Sequence, residues 1–350
     1  MPTPSSTPGK TLNVAVLGLG QMGLVSASLL VSPDRARGTG ELPFPRVTMW
    51  GHDLEEAGTL SQSRRSDRLP GFTLPPPIRV AMKDRDIAGA DLVVCAIPVQ
   101  FIRETLRRLH PHLAPAAAFV SVAKGIENCT LMRPSEIILD VAGPRPIGVL
   151  SGPTIAAELA RCLPATMVSA SSDPVLAELV QRLFSTTWLR IYTHHDMLGV
   201  ELAGATKNII GIAAGILDGL QAGNNAKSAL LARGLAEITR LGTALGAQRE
   251  TFFGVAGVGD LATTCFSPEG RNRSCGEALG RGEKLDAYLK RSRHVVEGVW
   301  TTKSVMDLAA RHIVEMPITE AVHAVLFEGL DPLEAISRLM ARELKGERVG

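Results

Sequence analysis

The chain has 350 residues, 45% of them hydrophobic and 21% charged, with a formal net charge of +2. That length accommodates two domains of ordinary size, each able to bury its own core, and the composition lies far from that of disordered chains. Lysine and arginine are scattered rather than clustered, which argues against nucleic acid or a membrane surface as a partner.

The opening MPTPSSTPGK is rich in Pro, Ser and Thr and lacks an apolar core, so residues 1–11 are expected to form a flexible tail and not a signal peptide. Short apolar runs then alternate with helical spacing. NVAVLG (13–18), VTMW (47–50), DLVVCAIP (91–98), AFVSVAKG (118–125) and PIGVLSGP (146–153) read as strands. Several are apolar throughout, as strands buried on both faces are. MGLVSASLLV and VQFIRETLRRLHPHL between them have helical spacing. The alternation predicts an α/β domain over residues 12–196, a doubly wound, Rossmann-like parallel sheet that PATMVSA (164–170) and WLRIYT (188–193) would extend. The connection at 32–46, SPDRARGTGELPFPR, is long for such a unit and reads as a surface-loop insertion.

Past residue 196 the pattern becomes helical throughout, predicting an all-α domain over 197–345 with a charged end. MLGVELAGATKNIIGIAAGILDGLQ carries glycines at 199, 204, 211, 215 and 219, a spacing that lets another backbone approach closely. NAKSALLARGLAEITRLGTALG follows with a broad apolar stripe through Leu230, Leu231, Leu235, Ile238, Leu241 and Leu245. No stretch reaches the ~18 uninterrupted apolar residues of a membrane helix, so membrane insertion is not expected. The five cysteines form no CxxC pair and suit a reducing, cytoplasmic compartment. None of the eight histidines pairs with cysteines or carboxylates at ligand spacing, so no metal site is expected.

Gly18-Leu19-Gly20-Gln21-Met22-Gly23 follows a strand and opens a helix, the order a dinucleotide-binding turn needs. Gly18 would turn the chain, Gly20 would let the backbone approach a pyrophosphate, and Gly23 would let helix and strand pack; the same glycines could also serve a tight turn only. At the second strand's tip stand Gly51 and His52, with Asp53 just beyond. An acid at the tip would grip the ribose 2′-hydroxyl of NAD, whereas these residues leave room for a 2′-phosphate, so NADP or dual use is expected. Lys124 in SVAKGIE ends another strand and would point toward a ligand, although alone it reads equally as a solvated turn lysine. SGPTIAAE (151–158) offers backbone N–H groups and the Thr154 hydroxyl. Lys207 lies within the apolar AGATKNIIGIAAG, where burial would lower its pKa toward the range of proton transfer. GVGDLATTCFSPEGRNRSCGEAL (257–279) brings Asp260, Thr263, Thr264, Arg271, Asn272 and Arg273, and RNR before a helical run suits a phosphate or an ordinary cap.

From about residue 12 to about 330 the chain resembles the bacterial-type NAD(P)-dependent glycerol-3-phosphate dehydrogenases, through GLGQMG, WGHD, SVAKGIE, LSGPTIAAE, GVELAGATKNIIGIAAG, NAKSALLARGLAEITRLG, GVGDLATTCFSPEGRNR, VVEGVWTTK and EMPITEAV. The resemblance implies reversible hydride transfer between dihydroxyacetone phosphate and sn-glycerol 3-phosphate with NAD or NADP, supplying phospholipid synthesis, in a homodimer. It implies Lys207 as general acid/base, Lys124 polarising the developing alkoxide, and Asp260 orienting substrate or Lys207. Gly152, Thr154, Thr264, Gly270, Arg271 and Asn272 would complete the substrate site, the last pair at the phosphate. Gly18, Gly20, Gln21, Met22, Gly23, His52, Lys124, Ala156, Arg271, Val295 and Glu297 would contact the cofactor. Gly270 stands where the family usually has serine, so one hydroxyl contact is lost and weaker substrate binding is expected. The alternatives are a related two-domain hydroxy-acid or opine dehydrogenase and a dinucleotide-sensing module without turnover.

Overall fold

The computed structural model describes residues 11–35, 42–292, 295–344 and 346–347. Residues 1–10 of the expected tail and 36–41 of the long 32–46 connection lie outside the described residues. The chain divides into two compact units, Met1–Ala123 with Pro134–Met197, and Lys124–Arg133 with Leu198–Gly350.

The first unit is built on eight strands: β1 (Asn13–Leu17), β2 (Arg46–Trp50), β3 (Arg79–Val80), β4 (Leu92–Cys95), β5 (Ala118–Ser121), β6 (Ile147–Ser151), β7 (Ala165–Ala170) and β8 (Leu189–His194). They form one sheet in the order β3-β2-β1-β4-β5-β6-β7-β8. The register Val14↔Val47 on one side of β1 and Val14↔Leu92 on the other makes β1 central among parallel neighbours. Chain direction across the sheet reverses beside β1, and ligands on such sheets bind beyond the carboxyl ends of the strands at that point. Val14, Val16, Val94 and Val120 are almost solvent-free, as strands covered on both faces require.

Two features depart from the expected parallel sheet. The two-residue strand β3 is too short to leave a pattern in the sequence. More consequentially, β7 runs antiparallel to β6, with Val149 opposite Ala170 and Ser151 opposite Val168. Between them residues 152–164 hold only a five-residue helix, Ala156–Ala160, too little chain in regular structure to cross the sheet's height. The chain therefore turns back at the end where β6 finished. The strands also stop at Cys95, Ser121 and Ser151, short of their expected ends, ahead of Pro98, Gly125 and the Gly152-Pro153 pair.

The second unit is helical. Its central element, Met197–Gly219, is buried along nearly its whole length, and it is also the one helix among the described residues long and apolar enough to cross a membrane. Its glycines serve protein packing: it crosses the helix Arg271–Gly280 backbone to backbone. A Cβ on Gly215 would lie 1.9 Å from the Arg273 carbonyl oxygen, and one on Gly276 would lie 1.9 Å from the Ile212 carbonyl oxygen. Neither position accepts any side chain without separating the helices. In the helix Gly223–Ala244 the apolar stripe is buried at Leu235, Ile238 and Leu241, while Leu230 and Leu231 are partly exposed.

One carboxylate in this core has a structural task. Glu237, 1% exposed, accepts hydrogen bonds from the Ile318 and Thr319 amides and the Thr319 hydroxyl, each at 2.8 Å. It caps the helix Pro317–Phe327, whose own N-cap residue, Met316, has no side chain able to do so. Burial pushes the Glu237 carboxyl up and these donors hold it down, with burial prevailing. Glu237→Ala strands two buried amide donors, and chemical denaturation is expected to show a loss of about 3 kcal/mol. An unchanged midpoint would contradict this assignment.

Candidate functional site

The chemistry expected of the helical unit converges on one carboxylate. Asp260, 1% exposed, follows a π-helical turn at Val255–Gly259 and begins the helix Asp260–Phe266. Lys207 Nζ donates to Asp260 Oδ1 at 2.5 Å and to Thr264 Oγ1 at 2.7 Å. Asp260 and Thr264, one helical turn apart, present both acceptors on one face. Lys124 Nζ donates to Asp260 Oδ2 at 2.7 Å. The carboxylate is thus shared by two ammonium groups, leaving a positive balance at the site.

Lys207 is 7% exposed on a largely apolar helix that also buries Glu201 and Asn208. Burial is the chief cause that lowers its ammonium to about 8, with Asp260 opposing and the Lys124 charge adding to the fall. A lysine so placed releases and regains a proton near neutral pH, which a solvated lysine does not.

A second polar chain lies alongside. Asn272 Nδ2 donates to Asn208 Oδ1 at 2.9 Å, and Asn272 Oδ1 accepts from the Gly298 amide at 2.9 Å. Asn208 escaped the sequence-based site; its one signal was a second polar residue beside Lys207 on an apolar helix. The bond depends on the glycine-lined crossing, which brings the helices close enough for Asn272 to reach Asn208.

The two arginines of RNR have different tasks. Arg273 pairs with Glu277 at 2.7 Å and Asp218 at 3.3 Å. Arg271, exposed at the first position of the helix Arg271–Gly280, makes no hydrogen bond or ion pair among the described residues and is available to an anion beside that helix's opening amides. Gly270 is this helix's N-cap, with φ −71°, ψ 115° and no side-chain cap, so the missing serine hydroxyl is also a missing helix cap. Glu297 opens the helix Glu297–His312, and its Oε2 is buried without a hydrogen-bond partner among the described residues. Burial raises its carboxyl to about 7 against the pull of Arg271 and Lys124. Such an orphaned oxygen fits a ligand donor. Val295, two residues before, is partly buried.

The sheet unit carries the remaining expected residues. Gly18 has φ +113°, a conformation suited to glycine, and a Cβ on Gly23 would lie 2.1 Å from the Gly18 carbonyl oxygen. Gly20 caps the helix Gln21–Leu30 with no side chain, nothing stands within 4 Å of where its Cβ would be, and no acidic residue occupies the first turn. With neither a side-chain cap nor an acid in the first turn, the helix start keeps its partial positive charge, an arrangement that fits a pyrophosphate. Gln21 Nε2 donates to the Arg68 carbonyl at 2.8 Å, and Met22 packs on the sheet's core. His52 is exposed beyond β2. Asp53 Oδ1 accepts from the Glu55 and Glu56 amides at 2.9 and 3.1 Å as a helix cap, bonds that hold its carboxyl below the usual range. Thr154 Oγ1 donates to the Gly152 carbonyl at 3.0 Å, and Ala156 begins the short helix after it.

The family model described as NAD-dependent glycerol-3-phosphate dehydrogenase N-terminus matches residues 13–177, and the one for the C-terminus matches 196–337. A glycerol-3-phosphate dehydrogenase (NAD(P)+) of Mycobacterium tuberculosis is 46% identical, covering 97% of this chain and 99% of the relative. One from Syntrophotalea carbinolica is 43% identical over 96% and 99%. The crystal structure of glycerol-3-phosphate dehydrogenase from Coxiella burnetii superposes with a TM-score of 0.88 at 31% identity, covering 95% of this chain and 99% of that one. A ketopantoate reductase from Ralstonia eutropha, TM-score 0.59 at 13% identity, shares the fold alone. The chain belongs to the NAD-dependent glycerol-3-phosphate dehydrogenase family.

Proposed function

We propose that the chain is an oxidoreductase that interconverts dihydroxyacetone phosphate and sn-glycerol 3-phosphate by hydride transfer with NAD(P)H. The observation that carries this reading is the Asp260 carboxylate shared by Lys207 and Lys124. Bound nicotinamide supplies the hydride in reduction and accepts it in oxidation. As C2 of the ketone is reduced, its oxygen gains negative charge and needs both a cation and a proton. Lys124 offers the cation, a preoriented stabiliser of the developing alkoxide. Lys207 offers the proton from Nζ and, in the oxidative direction, takes it back. Asp260 keeps both ammonium groups on one side of the substrate. Thr264 Oγ1 holds Lys207 in the rotamer that faces Asp260.

Arg271, with Asn272, Gly270 and the amides opening their helix, is the natural receptor for the substrate's phosphate. Gly152 and Thr154 complete the substrate contacts. Gly18, Gly20, Gln21, Met22, Gly23, His52, Ala156, Val295 and Glu297 hold the cofactor. Gly51 and the exposed His52 at the β2 tip support acceptance of a 2′-phosphate, while Asp53 just beyond them is engaged through Oδ1 in capping the next helix and keeps its charge. The reading extends to a cytoplasmic homodimer that supplies glycerol 3-phosphate to phospholipid synthesis.

Purified protein mixed with dihydroxyacetone phosphate and NADPH or NADH is expected to consume the reduced cofactor, followed at the nicotinamide absorbance; no oxidation with either would refute the reading. Lys207→Ala is expected to lower kcat by ~10²–10⁴-fold with cofactor affinity nearly unchanged. In the wild type the reductive rate should fall as pH rises through about 8, where Lys207 loses its proton, and the oxidative rate should rise over the same range. Equal losses in kcat and cofactor affinity would contradict the acid/base role.

Gly270→Ser restores the hydroxyl. A Cβ there meets the Ser267 carbonyl oxygen at 3.3 Å, a tight but accommodable contact. The variant is expected to lower KM for the triose phosphate and, through the new cap, to gain a few tenths of a kcal/mol, roughly 0.3, in stability. A raised KM would place Gly270 outside the phosphate site.

A further inference from the structure

Lys124 is carried by neither a helix nor a strand but by the irregular segment Lys124–Arg133. Two of its residues hold left-handed backbone, Cys129 at φ 70° and Leu131 at φ 61°, which side-chain-bearing residues rarely adopt unless their surroundings impose it. The segment closes on itself, Glu127 N donating to the Met132 carbonyl at 2.9 Å and Leu131 N to the Glu127 carbonyl at 3.0 Å, so its far end is tied back toward Lys124.

Its anchors lie on two helices of the same unit. Ile126 is wholly buried in the helical core. Ser304 Oγ, on the helix Glu297–His312, stands 3.1 Å from the Ile126 carbonyl and 2.6 Å from the Asn128 side-chain oxygen. One hydroxyl has one proton, so turning the Asn128 amide to donate from Nδ2 lets Ser304 give to Ile126 and accept from Asn128. At the far end the Arg133 guanidinium pairs with the Glu201 carboxylate. Glu201 is 1% exposed by side chain and belongs to the helix that carries Lys207. A buried ion pair adds little stability over apolar packing of similar volume, but it fixes where two elements meet, because either charge left alone is costly. Here it sets the Lys124 segment against the Lys207 helix.

We propose that Arg133 and Glu201, assisted by Ser304, are positioning residues: they clamp the Lys124 segment so that the Lys124 ammonium meets Asp260 beside Lys207. The inference rests on the role proposed above for Lys124 and adds to it the device that holds that residue in place.

The test is a kinetic cycle on the full-length enzyme with Arg133→Ala, Arg133→Lys, Ser304→Ala, Lys124→Ala and the Arg133→Ala/Lys124→Ala double variant. Lys124→Ala is expected to lower kcat by ~10²–10³-fold, as loss of one stabiliser of developing charge does. Arg133→Ala is expected to lower kcat by roughly tenfold, with KM for NAD(P)H unchanged, and Arg133→Lys to recover most of it. Because Lys207 faces Asp260, Thr264, Cys265 and the Lys124 charge, withdrawing Lys124 should move the basic limb of the reductive pH profile upward in Lys124→Ala and in Arg133→Ala. In the Lys124→Ala background Arg133→Ala should cost nothing further in kcat. The proposal is overturned if Arg133→Ala costs the same factor in both backgrounds, or if it lowers thermal stability with the pH limb unmoved. Should Arg133→Ala fail to fold, Ser304→Ala decides: wild-type kcat and an unmoved limb overturn the clamp, and a smaller loss with the limb shifted upward supports it. Wild-type kcat in Lys124→Ala would instead refute the role of Lys124, and the clamp would fall with it.

Discussion

The functional half of this molecule depends on a single buried carboxylate. Asp260 is shared between two lysines, one on the long apolar helix and one on an irregular segment, and neither ammonium would be tolerated at that spacing without it. Two cations and one anion leave a positive remainder, which suits a carbonyl oxygen about to become an alkoxide. Burial sets how firmly the proton is held on Lys207, and Asp260 keeps that burial from discharging the lysine outright. The site therefore needs a dry environment and an exact count of charges, both of which the surrounding helices supply.

Glycine is what allows the helices to supply them. The Met197–Gly219 and Arg271–Gly280 helices touch backbone to backbone at Gly215 and Gly276. That contact brings the Asn272 amide to Asn208, next to Lys207, and sets the orientation of the helix end that carries the exposed Arg271. In the sheet unit the same economy appears at Gly18 and Gly23, where a Cβ would strike backbone carbonyl oxygens, and at Gly20, whose missing side chain leaves the helix start uncapped.

Much of this was legible in the sequence. The alternation of apolar runs and helical spacing implied the sheet, the glycine spacing on the long helix implied close packing, and one lysine amid AGATKNIIGIAAG implied a buried ammonium. What was not legible depended on partners distant in sequence. The antiparallel turn into β7 follows from how little regular structure lies between β6 and β7. That Asp53 caps a helix is decided by the backbone beyond it. Asn208 gained its role only from Asn272, and Lys124–Arg133 carries no periodicity that would have assigned it to the helical unit. Lys124 and Lys207 were each readable as residues with a task, and the resemblance already implied Asp260 beside the substrate or Lys207; that Lys124 shares the same carboxylate emerges only from the fold.

The central claim is that Lys207 is a buried, proton-exchanging ammonium governed by Asp260, and its titration tests this most directly. An NMR titration of lysine labelled at Cε, with Lys207→Arg identifying the resonance, should show Lys207 titrating near 8. In Asp260→Asn, where burial and the Lys124 charge act without the carboxylate, the midpoint should fall further. A midpoint at the ordinary lysine value near 10.5 in the wild type, or a rise in Asp260→Asn, would contradict the account.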